Sequence, residues 1–86
     1  MIPEADELMM SIEEEFGIDL QDDDAARLSV LGDMHGFILR ALRHRLEDPE
    51  EEEVWERLKQ VVVDELGVRP EEVTREADIA RDFGAE

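Results

Sequence analysis

"EDPEEEEVWERLKQVVVDELG", residues 47–67, holds the reading that decides the fold. Asp48 precedes Pro49, and the proline ring pushes the residue before it out of the α region, so the chain breaks here. Pro49 then suits the first position of a new helix, with Asp48 as its cap. The acids that follow sit in the first turn, where the positive end of the helix dipole favours them. Trp55, Leu58, Val61, Val62, Glu65 and Leu66 track one side at helical spacing, with Val54 beside them. Gly67 reads as the stop. The stretch predicts a sharp break followed by a helix over 49–66.

Two more amphipathic segments lie upstream. Over about 3–16, Ala5, Leu8, Met9, Ile12 and Phe16 share one face, while Glu7, Glu13, Glu14 and Glu15 lie toward the rest. Pro3 suits its first turn and Gly17 its C-terminal stop. Over about 30–46, Val30, Met34, Phe37, Ile38, Ala41 and Leu42 form the apolar side. Ser29 reads as the N-cap, and Gly32 and Gly36 weaken the helix by local propensity. Arg40, Arg43, His44 and Arg45 crowd its end, where cations suit the dipole. Residues 18–29 read as a connector pinned by Ile18, Leu20 and Leu28. Within it Asp22, Asp23 and Asp24 open a short turn at Ala25 and Ala26. After Gly67 the chain reads as a loop with one helical turn at 70–73, anchored by Val68, Val73, Ile79 and Phe83. Strand alternation and hairpin dipeptides are absent from the sequence. The expected fold is all-α, one small bundle of three main helices plus short turns spanning residues 1–86.

Composition narrows the chemistry. The 86 residues carry 26 acids against 9 Lys and Arg, a formal charge of −17. Binding to nucleic-acid phosphates needs a basic face, so nucleic acid is not an expected partner. Basic protein surfaces are, because the same field steers them in. With no Cys, disulfides and thiolate sites are excluded. No apolar run approaches the ~20 residues of a membrane span, and the acidic "MIPEADELMM" lacks the basic start of a secretory signal. The expected location is cytoplasmic.

Against this background "WERLKQVVVDELGVRPEEVTREADIARDFGAE" (55–86) resembles the first half of an acyl carrier protein, helix one and the long loop that reaches the prosthetic-group site. "ADELMMSIEEEFGIDLQDDDAARLSVLGDMHGFI" (5–38) resembles the second half of that family. The order is inverted: residues 1–46 match the family's second half and residues 49–86 its first. The resemblance implies an acyl-carrier-like helical bundle of permuted connectivity. In the family a serine in Asp-Ser-Leu carries 4'-phosphopantetheine. Here Gly84-Ala85-Glu86 reaches the position of that Asp, and the serine position falls at Ile2. The resemblance therefore implies no attached cofactor. Two arrangements satisfy it: a monomeric circular permutant, preferred because the hinge at 47–49 is long enough to turn, or a dimer that swaps residues 1–46 between chains.

The resemblance also implies the functional residues. Glu4, Glu7, Met10, Glu13, Glu14 and Glu15 would face basic partners such as lipid or polyketide synthesis enzymes. The physical sense stands without the family, since exposed acids flanking an exposed Met make a steered docking face; a merely solvated face fits equally. Met9, Ile12, Phe16, Leu28, Met34 and Ile38 would line the acyl pocket, where a long Met34 would help to fill it. Ordinary core packing is the simpler reading of these six. Ser11 and Ser29 are the only serines, and either could carry a prosthetic group at a non-standard place, the reading of a genuine carrier. Asp22–Asp24 lack the alternation of a calcium loop. His35 and His44 have no partner at ligand spacing, and nothing marks a general acid and base in a cleft. No metal site, no catalytic residue and no enzyme are expected.

Overall fold

A computed structural model describes residues 4–83, the side chains of Glu4, Ala5, Asp22, Ala25 and Ala26 excepted. The described chain is helical: α1 (Glu4–Phe16), α2 (Asp22–Arg27), α3 (Leu31–His44), α4 (Glu51–Leu66) and a 3₁₀ turn (Pro70–Glu72). Three long helices thus form a small bundle, as the apolar periods imply. α4 lies between α1 and α3 and packs on both within one chain. Its radius of gyration is 12.0 Å, the value of a compact chain of this length.

Leu8 and Ile12 of α1, Leu31, Met34 and Ile38 of α3, and Leu58 and Val62 of α4 are fully buried. Four apart in α1 and α4, and three, four and seven apart in α3, they mark the stripe that each helix turns inward. Val73, Ala77 and Ile79 of the C-terminal loop close the same core. So the loop is a structural part of the bundle rather than a free strand of chain. Of its expected anchors, Val73 and Ile79 are buried, while Val68 and Phe83 pack half-buried against the core.

The helix starts depart from local expectation in two places. The N-cap of α4 is Glu50, whose carboxylate accepts from Glu53 N–H at 2.8 Å. Asp48 and Pro49 therefore lie before the helix, not at its cap and first position. The N-cap of α3 is Val30 and makes no side-chain bond. Ser29 is not the cap, because the loop supplies what a cap would. Leu31 N–H donates to Ala77 O at 2.9 Å and Gly32 N–H to Arg75 O at 2.8 Å, while Ile79 N–H donates back to Ser29 O at 2.9 Å. The first amides of a helix need such acceptors, and backbone carbonyls satisfy them here. Val30 and Asp78 form a single antiparallel bridge in this seam, the one β-type pairing among the described residues. Within α4, Glu65 falls on the apolar side by period but is exposed.

Gly17 and Gly67 end α1 and α4 at φ of +64° and +67°, the left-handed turn that glycine takes without a Cβ penalty. Pro3 lies outside the described residues. The end of α3 uses Leu46 in the same conformation, at φ +63°. His35 is the buried polar residue of the core. Its Nε2 lies 2.9 Å from Glu51 O, and a carbonyl can only accept, which places the ring proton on Nε2. The ring meets Trp55 edge-on, with centroids 5.5 Å apart. His35 is thus a structural strut between α3 and α4.

Candidate functional site

The packing of α1 on α4 sorts its residues. Leu8, Met9, Ile12 and Phe16 turn inward, while Glu7, Glu14 and Glu15 are exposed. Glu7, Met10 and Glu14 stand exposed at spacings of three and four, one stripe over two turns. Met10 is 61% exposed, one of two exposed large apolar side chains among the described residues, with Leu46.

The other acids expected on this face are partly engaged. Glu13 is half-buried, and its Oε2 accepts from Leu20 N–H at 2.8 Å, tying the connector to α1. Glu15 pairs with Arg57 of α4: Nε to Oε2 is 2.9 Å, and the same guanidinium donates to Glu15 O at 2.8 Å. Arg57 also lies 4.7 Å from the Phe16 ring centre, a cation–π contact. The side chain of Glu4 lies outside the described residues, as do Ile2 and Glu86. The stripe with no ion pair or hydrogen bond among the described residues is therefore Glu7–Met10–Glu14.

Two shallow depressions border it. One, of about 420 Å³, lies between Met10, Glu13 and Glu14 and the connector residues Gly17, Ile18 and Asp19. The other, of about 300 Å³, lies between α1 and α4, and its walls carry Glu14, Glu15, Asp64 and Glu65. The acidic surface thus runs on from α1 onto α4. Sequence reasoning missed Asp64 and Glu65, whose approach to α1 depends on the way the helices pair. Ser11 marks that seam, its hydroxyl donating to the Glu65 carboxylate.

Met9, Ile12, Phe16, Leu28, Met34 and Ile38 all belong to the buried core cluster. Met34 is among its best-buried members and packs there as an ordinary core residue. No family model and no solved structure matches the chain. Chemistry must therefore be judged from the side chains themselves. Among the described residues, no group of three or more His, Asp or Glu is placed to hold a metal ion, and no helix is long and apolar enough to cross a membrane.

The second serine, Ser29, donates from its hydroxyl to Asp78 Oδ2 at 3.2 Å. Asp78 also accepts from the N–H groups of Arg81 and Ala80 at 3.0 and 2.9 Å. These donors, the Arg81 amide foremost, hold its carboxyl below the ordinary range against a smaller opposing effect of burial. Asp82 is lowered in the same way, first by its bonds to the Arg81 guanidinium and then by Asp78 N–H. This cluster locks the turn at 78–82, and each of its donors belongs to the turn or to the seam with α3.

Proposed function

We propose that the chain is an acyl-carrier-protein-like docking module of permuted order that is not phosphopantetheinylated and works by protein contact. The observation that carries the reading is the Glu7–Met10–Glu14 stripe. Two acids flank an exposed thioether side chain on a rigid helix, and the acid surface extends onto α4 through Asp64 and Glu65. Such a face suits a partner with Arg or Lys around an apolar dimple. The charges would raise the encounter rate and the Met would add contact area. Basic surfaces of lipid or polyketide synthesis enzymes are the partners that the resemblance implies, in the cytoplasm. Both serine hydroxyls are engaged by carboxylates, Ser11 with Glu65 and Ser29 with Asp78. That favours the reading in which neither serine carries a prosthetic group.

Titration of the ¹⁵N-labelled chain with a phosphopantetheine-attaching enzyme tests this. Shifts centred on Glu7, Met10 and Glu14, lost in E7K/E14K, with no gain of a phosphopantetheine in the intact mass, are expected. A mass gain on Ser11 or Ser29 would identify a genuine carrier and overturn the reading. Light scattering decides the arrangement: a monomeric permutant gives 9.9 kDa, and a swapped dimer twice that mass.

A further inference from the structure

The nine Lys and Arg of this acidic chain are not spread evenly in their pairing. Seven of them lie within an ion pair: Arg27, Arg45, Arg57, Lys59, Arg69, Arg75 and Arg81. Arg40 and Arg43 have no carboxylate partner among the described residues, and both border the same groove on α3. The groove holds about 680 Å³, within the range of small-molecule sites. Leu28, Phe37 and Ala41 form its floor, and Arg27, Arg40, Arg43 and His44 its rim. Its wall carries no carboxylate among the described residues. Asp24, on the same helix as Arg27, is bound by it at 2.6 Å.

The bland account is that cations at a helix C-terminus offset the dipole. That covers Arg43 and His44, which lie in the last turn of α3. It covers Arg27 as well, in the last turn of α2, but not Arg40, which lies before the last turn of α3. Nor does it explain the floor. Phe37 and Ala41 continue the apolar side of α3 but are only half-buried, whereas Met34, Ile38 and Leu42 of the same helix are buried. Apolar area is thus left open beneath unpaired guanidinium groups.

We infer that this groove binds a free amphiphilic anion, one carboxylate or phosphate head on an apolar body. The head would bridge Arg40 and Arg43, whose planar donor forks suit such oxyanions. The body would lie along Phe37, Ala41 and Leu28. On a chain of charge −17 an anion is repelled at long range, so only a local cluster of cations with an apolar floor can hold one.

Decanoate, kept below its micelle threshold and followed by ¹H–¹⁵N NMR, is the test. Saturable shifts confined to residues 27–28 and 37–44 are expected, with much weaker shifts from decanol. R40Q/R43Q should weaken decanoate about tenfold or more, the loss of at least one charge-assisted hydrogen bond, and R40K/R43K should restore part of it. The Lys pair keeps the charge and so separates lost recognition from lost folding. Four results would overturn the inference. They are no shifts up to about 1 mM, equal binding of decanol, and the same shifts appearing on concentrating the chain alone, which would place a second copy in the groove. The fourth is tighter occupation of these residues by an acidic amphipathic peptide, which would make the occupant a protein segment.

Discussion

Two glycines of α3 offer a paired test of how the C-terminal loop caps that helix. A Cβ on Gly32 would come to 2.9 Å from Arg75 O, a backbone atom. A Cβ on Gly36 would meet only the Nη1 of Arg40, at 3.8 Å, an ordinary contact with the tip of a flexible side chain. Alanine in place of glycine within a helix gains about 0.5–1 kcal/mol. At Gly36 that gain stands alone, so Gly36→Ala should raise Tm by about 3–6 °C. At Gly32 it is opposed by overpacking of about 1–3 kcal/mol. Retreat of the loop would also stretch the bond from Gly32 N–H to Arg75 O, with about 0.5–1.5 kcal/mol at stake. Arg75 cannot withdraw freely, since its guanidinium lies 4.6 Å from the Trp55 ring centre and 3.1 Å from Glu52 Oε1. Gly32→Ala should thus destabilise by about 1–2 kcal/mol net and lower Tm by about 5–15 °C. Urea unfolding and scanning calorimetry on both variants are the assays. Shifts of the same sign and similar size at the two positions would refute the tight seam between Gly32 and the loop.

Arg45 Nη1 donates to Phe16 O and Gly17 O at 3.3 and 2.6 Å, closing the C-terminus of α1 from outside; Arg45→Met should cost about 1 kcal/mol in urea unfolding. Leu46 is 96% exposed at a positive φ. Leu46→Gly should stabilise by about 0.5–1 kcal/mol in the same assay, since the left-handed penalty of about 1–2 kcal/mol exceeds the entropy cost of glycine. The carboxyls of Asp78 and Asp82 are held below the ordinary aspartate value of 3.8 by their hydrogen bonds in the folded chain. Their contribution to stability is therefore complete above that value and is lost as pH falls through the lower folded one. Tm followed from about pH 5 to pH 2 should fall less steeply in Asp78→Asn than in the parent.

The long helices were legible because their apolar periods are regular and because glycines stop α1 and α4. Their starts were less so. Asp48 and Pro49 have the local chemistry of a helix start, yet the carboxylate that reaches the Glu53 amide belongs to Glu50. Ser29 has the local chemistry of a cap, yet Arg75 O and Ala77 O arrive from more than forty residues away. Such partners leave no trace in a window of neighbours. The same limit sorted the acidic face. Glu7, Met10 and Glu14 stood among six residues expected on one face, with nothing local to set them apart. Glu13 and Glu15 looked equivalent to them until the Leu20 amide and Arg57 took their carboxylates. Phe37 and Ala41 look like core by period. They pack against it only half-buried, because a helix can be covered only as widely as its neighbours reach.

Net charge alone would describe this surface poorly. A total of −17 suggests a uniformly acidic particle, but exposed charges act over about 8–10 Å in physiological salt. At that range each partner meets a neighbourhood, not the total. Around Met10 the neighbourhood is acidic, and most of the basic residues that would dilute it are bound to carboxylates elsewhere. Around Phe37 it is cationic, because Arg40 and Arg43 are the two basic side chains left outside those pairs among the described residues. The pairing pattern therefore divides the surface into regions of opposite local sign. Each region carries an exposed or half-exposed apolar side chain at its centre, the arrangement in which a screened charge can orient what an apolar contact retains.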